Sequence, residues 1–226
     1  MNDLAQNLIE ELQCETVFTI PVLGGIPVSE AVVVTWIIMA VLVVIAFILT
    51  RNLKVDHISK RQAVAESIVT GLLNMVQGMV GEKGKAYVPY LTTVMLYIGV
   101  SNIIGLFGFK SPTKDLRVTV ALALMSIILI EAAGIYHKGV KRWLHGFVEP
   151  VAIVTPINIL EVVTKPLSLC MRLFGNVLGA FVIMELLKMI LPVGLPVVFS
   201  LYFDIFDGLL QAYVFVFLTS LYIDEI

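Results

Sequence analysis

The run Ala31–Thr50, AVVVTWIIMAVLVVIAFILT, places twenty uncharged residues in a row. As a helix it spans about 30 Å, the thickness of the hydrocarbon core of a bilayer. Working outward, Ala86–Phe109 adds twenty-four uncharged positions, and Val118–Tyr136 adds nineteen interrupted only by Glu131. Of all 226 residues, 59% are hydrophobic and 14% charged, against about 25% charged in an ordinary soluble domain. The mean hydropathy is +0.98. These features specify a polytopic membrane protein. No strand alternation or internal repeat stands out, so the expected class is all-α, in a single membrane domain.

The distribution of charge orients the spans. Residues 1–30 hold Asp3, Glu10, Glu11, Glu15 and Glu30 and no Lys or Arg, an acidic segment without the basic n-region of a signal peptide. Arg51, Lys54, Lys60, Arg61, Lys83 and Lys85 follow the first span, and Lys138, Lys141 and Arg142 follow the third. Basic flanks mark the cytoplasmic side, which puts the N-terminus outside and the C-terminus in the cytoplasm. Lys110, Lys114 and Arg117 break the rule in the intervening outer loop. Cys14 and Cys170 form no metal or redox spacing, and there is no P-loop, no GxGxxG after a strand and no HExxH. No cofactor, metal or nucleic-acid chemistry is expected, and the chain on its own is not an enzyme.

Between the first two spans, Val64, Ile68, Leu72, Met75 and Met79 recur at helical spacing within residues 61–80, among Arg61, Gln62, Glu66, Asn74 and Gln77. This predicts an amphipathic helix on the cytoplasmic membrane surface or a connector packed on a partner. Residues 157–190 contain only Pro166 as a helix breaker, and 197–226 contain none. At 1.5 Å per residue these segments reach roughly 51 and 45 Å, too long to cross upright. We expect three roughly perpendicular spans (31–50, 86–109, 118–136), the surface helix, and a C-terminal pair of long, steeply tilted antiparallel helices joined near Pro192–Pro196.

Both long helices carry polar stripes. At 100° per residue, Glu161, Lys165, Ser168, Arg172, Asn176, Gly175 and Gly179 fall within a face about 100° wide. Glycines on such a face admit close approach of another helix. On the second helix Asp204, Asp207, Gln211 and Tyr222 share a stripe. An ionisable group at mid-membrane costs about 2.5–3.5 kcal/mol on insertion scales, so such groups face water, each other or an ion route. The plainer readings are that Arg172 snorkels to an interface, that Glu161 and Lys165 simply pair at i, i+4, that Lys188 is an interfacial anchor, and that His137 and His145 are solvated. Glu131 admits either reading.

The run TPINILEVVTKPLSLCMRLFGN (155–176), with LLQAYVFVFLTSLYI (209–223), resembles subunit a of the rotary F-type ATP synthases. The likeness covers most of the chain and is most specific in KPxSLxxRLFGN and QAYVF. It implies a stator in a bacterial-type plasma membrane, beside a ring of c subunits that each carry an ion-binding carboxylate, and braced by peripheral-stalk subunit b. Arg172 then matches the family's essential arginine, Asn176 the asparagine one turn later, and Gln211 the glutamine of the last helix. Asp204 stands where the family usually has His or Glu. Nine residues after the arginine, where Glu or His is common, this chain has Phe181, with Glu185 one turn further on. The implied function is coupling of H⁺ or Na⁺ flow through two half-channels to rotation and ATP synthesis, with Arg172 as a fixed charge and Asn176, Glu185, Asp204, Asp207 and Gln211 on the ion pathway. Glu131, Glu161, Ser168 and Tyr222 are secondary candidates, and Gly175 and Gly179 are close-approach positions. The rival readings are a secondary transporter or channel in which Arg172 binds an anionic substrate, and a membrane scaffold.

Overall fold

A computed structural model describes residues 16–20, 26–51, 53, 59–107, 109, 111–146, 155–190 and 194–225. The features expected at Asp3, Glu10, Glu11, Cys14, Glu15, Lys54, Lys110 and Pro192 lie outside these residues. Among the described residues the chain is helical apart from one antiparallel hairpin, β1 (Thr16–Ile20) paired with β2 (Ile26–Ser29), and short connections. The hairpin adds to the all-α class without displacing it. Its strands carry Thr16, Val17, Thr19, Ile20, Ile26 and Val28, β-branched residues that suit an extended backbone.

Helix α1 (Glu30–Thr50) begins where Ser29 ends the hairpin. Ser29 Oγ donates to Asp115 Oδ2 at 2.9 Å, fixing the start of α1 to the start of α4. Helices α2 (Lys60–Met79), α3 (Val88–Ile103), α4 (Leu116–Lys138) and the short α5 (Val140–Gly146) follow. Ser59 caps α2 by accepting from Gln62 N, and Asp115 caps α4 by accepting from Arg117 N at 2.9 Å. Helix α4 stops at Gly139, whose φ of 79° lies in the positive range that glycine adopts readily and that does not continue a helix. Helix α6 (Thr155–Ile190) is 36 residues long, roughly 54 Å.

The last stretch is not one α-helix. It comprises α7 (Leu195–Ser200), a π-helical turn (Leu201–Asp207) and α8 (Gly208–Asp224). An i→i+5 turn takes up more residues per turn than an α-helix. A uniform 100° wheel therefore misplaces the azimuth of Asp204 relative to Gln211. Helices α6 and α8 run antiparallel: Lys165 meets Glu225 near one end, and Asn176 meets Asp207 further along.

Two stacked apolar clusters hold the bundle. One joins Val94 and Ile98 of α3, Leu122 and Ala123 of α4, Leu169, Cys170 and Leu173 of α6, and Ala212 and Phe215 of α8. The other joins Val76 and Val80 at the end of α2 to Val88 and Leu91, Ile127 and Ile130, and Val216 and Ile223. Helices α3, α4 and α8 run through both. The contact of α3 with α8 is tightest at Gly208, where an added Cβ would lie 2.8 Å from Asn102 Cβ. Asn102 Nδ2 also donates to Gly208 O at 2.9 Å, so the two backbones cannot easily part. Gly208→Ala should therefore destabilise the folded chain by about 1–3 kcal/mol, as overpacking does. Thermal unfolding of the purified subunit in detergent measures this, and an unchanged midpoint would refute it.

Among the described residues, five segments are long and apolar enough to cross a membrane: Glu30–Thr50, Gly84–Phe107, Leu116–Lys138, Thr155–Met189 and Val198–Asp224. Helix α2 is not among them. Of its apolar stripe, Val64, Ile68 and Met75 are exposed and face away from the bundle, while Leu72 and Met79 are half-buried, Met79 against the second cluster. Helix α1 is buried only through Ala31, Val34 and Ile38, and no side chain from Met39 to Thr50 is buried. An apolar surface of that extent is suited to lipid.

Candidate functional site

A cavity of about 550 Å³ opens where α6, the π turn, α8 and the α3–α4 connection meet. Its charged groups are Lys114, Glu185, Lys188, Asp204 and Asp207, and its amides are Asn102 and Gln211. The π turn places Asp204 and Asp207 on the cavity wall, in keeping with the frequent occurrence of such turns at functional sites. Asp204 packs beside Gly105, where an added Cβ would lie 3.2 Å from Oδ1. Asp207 accepts from Asn176 Nδ2 at 3.2 Å through Oδ1 and 3.4 Å through Oδ2. Glu185 accepts from Lys188 Nζ at 2.5 Å. Gln211 is 5% exposed and lines the same space from α8. Asn176, Glu185, Asp204, Asp207 and Gln211, separated by up to 35 positions in sequence, are thus gathered at one place.

Arg172 points elsewhere. It is exposed, and it makes no hydrogen bond or ion pair with any described residue. Leu167, Ser168, Met171 and Gly175 share its exposed face, while Leu169, Cys170 and Leu173 on the other side enter the core. An ideal Cβ built on Gly175 or Gly179 meets nothing within 4 Å. The polar face expected on α6 is therefore divided. Arg172 and Gly175 face out of the molecule, and Asn176, one turn on, reaches across to the cavity acid Asp207.

This arrangement, an arginine with no partner among the described residues on an open helix face with an acid-lined cavity at its flank, is accompanied by a family match over residues 32–224, to the ATP synthase A chain. The chain belongs to that family. Similar proteins include ATP synthase subunit a of Moorella thermoacetica, 35% identical over 203 residues, covering 89% of this chain and 92% of that one. ATP synthase subunit a 1 of Crocosphaera subtropica is 30% identical over 197 residues, 86% of this chain and 85% of the relative. The protein of Propionigenium modestum named "ATP synthase subunit a, sodium ion specific" is 34% identical over 215 residues, 88% of this chain and 74% of the relative. The chain is a multi-pass membrane subunit of the ATP synthase, working within its membrane sector in ion transport.

The remaining candidates fall outside the cavity of this ATP synthase subunit. Lys165 lies 2.8 Å from Glu225 and 3.8 Å from Glu161, with its ammonium 5.2 Å from the Tyr222 ring centroid. Glu161 and Glu225 are exposed, so this cluster ties the start of α6 to the end of α8 at the surface. Ser168 is exposed beside Arg172. Glu131 accepts from Trp143 Nε1 at 2.9 Å, bracing α5 against α4.

Sequence reasoning missed part of the site. Thr113, 0% exposed, donates to Asn102 Oδ1 at 2.8 Å, and Ser111 Oγ donates to Ser101 O at 2.7 Å. The two hydroxyls lie 2.7 Å apart, so two protons serve three acceptor contacts. Lys114, noticed in the sequence only as an outlier in the topology, sits in the cavity with its ammonium 4.2 Å from the Phe181 ring centroid. The signal available was Asn102 and Lys114 themselves, polar groups at and beyond the end of an apolar span.

Proposed function

We propose that this chain is the ion-translocating stator of the ATP synthase membrane sector, seated against the c-ring through the open face of α6 and held by peripheral-stalk subunit b. The observation that carries the reading is the exposure of Arg172, without a partner among the described residues, between Leu167–Ser168 and Gly175 on that face. A guanidinium stays charged at any working pH and favours the ionised form of a carboxylate beside it. A ring site passing Arg172 must give up its ion there, which blocks a direct leak between two half-channels. The acid-lined cavity, on the external side in the orientation expected from the basic flanks, is the outer half-channel and delivers H⁺ or Na⁺ toward the ring. Each ion that crosses thus rides almost a full turn of the ring, at ~2.3 kcal/mol per charge per 100 mV.

A photoreactive benzophenone side chain at Met171, on the open face, should cross-link to a ring subunit in the assembled synthase, whereas one at Val43 on α1 should not. Equal cross-linking from both positions, or none from Met171, would remove the proposed seat. The rival transporter reading has no feature in its favour beyond the arginine itself, and a transport-active isolated chain would be its mark.

A further inference from the structure

Lys114 poses a question the ion-pathway reading does not absorb, because it puts a cation inside a cavity meant to pass cations. The residue is held there by a clamped loop. On one side Thr113 is buried and bonded to Asn102; on the other Asp115 is buried, accepting from Ser29 Oγ and Arg117 N. Between these two anchors, on the 3₁₀ turn Pro112–Lys114, the Lys114 side chain enters the cavity. Its ammonium lies over the face of Phe181, the quadrupole of which attracts a cation without neutralising it. The other charged groups on the cavity wall are Asp204, Asp207, Glu185 and Lys188. Lys188 already answers Glu185, Asn176 answers Asp207, and the Lys114 ammonium acts electrostatically on Asp204.

We propose that Lys114 is a built-in counter-cation that keeps the cavity from holding its ion too tightly, with Phe181 as the perch that keeps the ammonium inside the cavity. Conduction needs binding strong enough for entry and weak enough for departure. Three carboxylates facing one cavity would trap a cation, and two resident ammonium groups reduce that field. Phe181 is then no gap in the pathway: its aromatic face helps to hold the ammonium inside the cavity, within electrostatic reach of Asp204. Lys114 acts through the cavity acids and is a positioning residue. The inference rests on the stator reading.

The test uses the whole synthase in proteoliposomes making ATP under an imposed ion gradient. The driving ion is varied as external pH at fixed Na⁺, and as external Na⁺ at fixed pH. Lys114→Met keeps the apolar stem and removes the charge; Lys114→Arg keeps the charge. Lys114→Met should lower both the apparent KM for the driving ion and the maximal rate, each by about tenfold, the effect of one charge at near-surface dielectric some ångströms away. Lys114→Arg should bring both close to the unsubstituted values. A merely structural defect lowers the rate without tightening ion binding. Unchanged KM and rate, or a reduced rate with KM constant or raised, would overturn the proposal. Arg172→Ala is measured alongside. If it abolishes synthesis while Lys114→Met changes nothing, only the role of Lys114 fails; if Arg172→Ala still couples, the stator reading itself fails.

Discussion

Replacing Arg172 with alanine should reduce ion-driven ATP synthesis in reconstituted vesicles to background, while hydrolysis by the soluble sector continues. The side chain has no partner among the described residues of its own chain, so its removal breaks no internal ion pair and leaves no orphaned acid. Its neighbours Gly175 and Gly179 leave open space, and the buried side of α6 is made by Leu169, Cys170 and Leu173, which the substitution does not touch. Folding and assembly should therefore survive, and the loss should be one of coupling. In membrane terms the substitution relieves a cost of about 2.5–3.5 kcal/mol for a charge at mid-bilayer, so a purely structural account predicts a better-behaved protein. The stator account predicts an uncoupled one. Undiminished synthesis by the alanine variant would end the stator account.

The second large effect is expected at Asp204. Asp204→Asn should slow coupled ion translocation by roughly 10²-fold or more, the range lost with a positioned proton-transfer group. Glu161→Gln should change it little, because an exposed ion pair contributes only about 0–1 kcal/mol. The contrast follows from placement. Asp204 lies on the cavity wall within the π turn, whereas Glu161 sits 3.8 Å from Lys165, which has a nearer partner in Glu225. Ion uptake driven by ATP in the two variants measures this directly. Equal, small effects would mean that the cavity is not on the ion route.

What the sequence discloses divides along physical lines. Long apolar runs are legible because a bilayer imposes one requirement, length, that composition alone can meet; α1, α3 and α4 could be drawn from the text of the chain. The short hairpin before α1 did not stand out, because strands of five and four residues are too brief to show a clear alternation. Yet the β-branched content of Thr16–Ile20 was there to be weighed. On α6 the helical wheel put Arg172 and Asn176 on one face, and they are 40° apart on it. It had no means of saying that α8 would cover one and leave the other open. The π turn has no residue signature, since it is a pattern of backbone hydrogen bonds. Lys114 was visible only as a violation of the charge rule, because its position depends on a loop closed by Asn102, Thr113, Asp115 and Ser29 across 86 residues of sequence.

The π turn bears on motion as well as on placement. A segment with i→i+5 bonds carries one residue more than an α-helix would need for the same turn, and that surplus is not tied to one location. Sliding it by one position along the chain exchanges one i→i+5 bond for an i→i+4 bond. The helix stays intact above and below, and the side chain passed over swings by about 100°. In lipid, where an open backbone amide has no water to turn to, this is among the few ways to redirect a side chain without unfolding anything. Asp204 and Asp207 both lie on this segment, so a one-position shift would redirect an acid while Gln211, on the regular helix beyond, keeps its place.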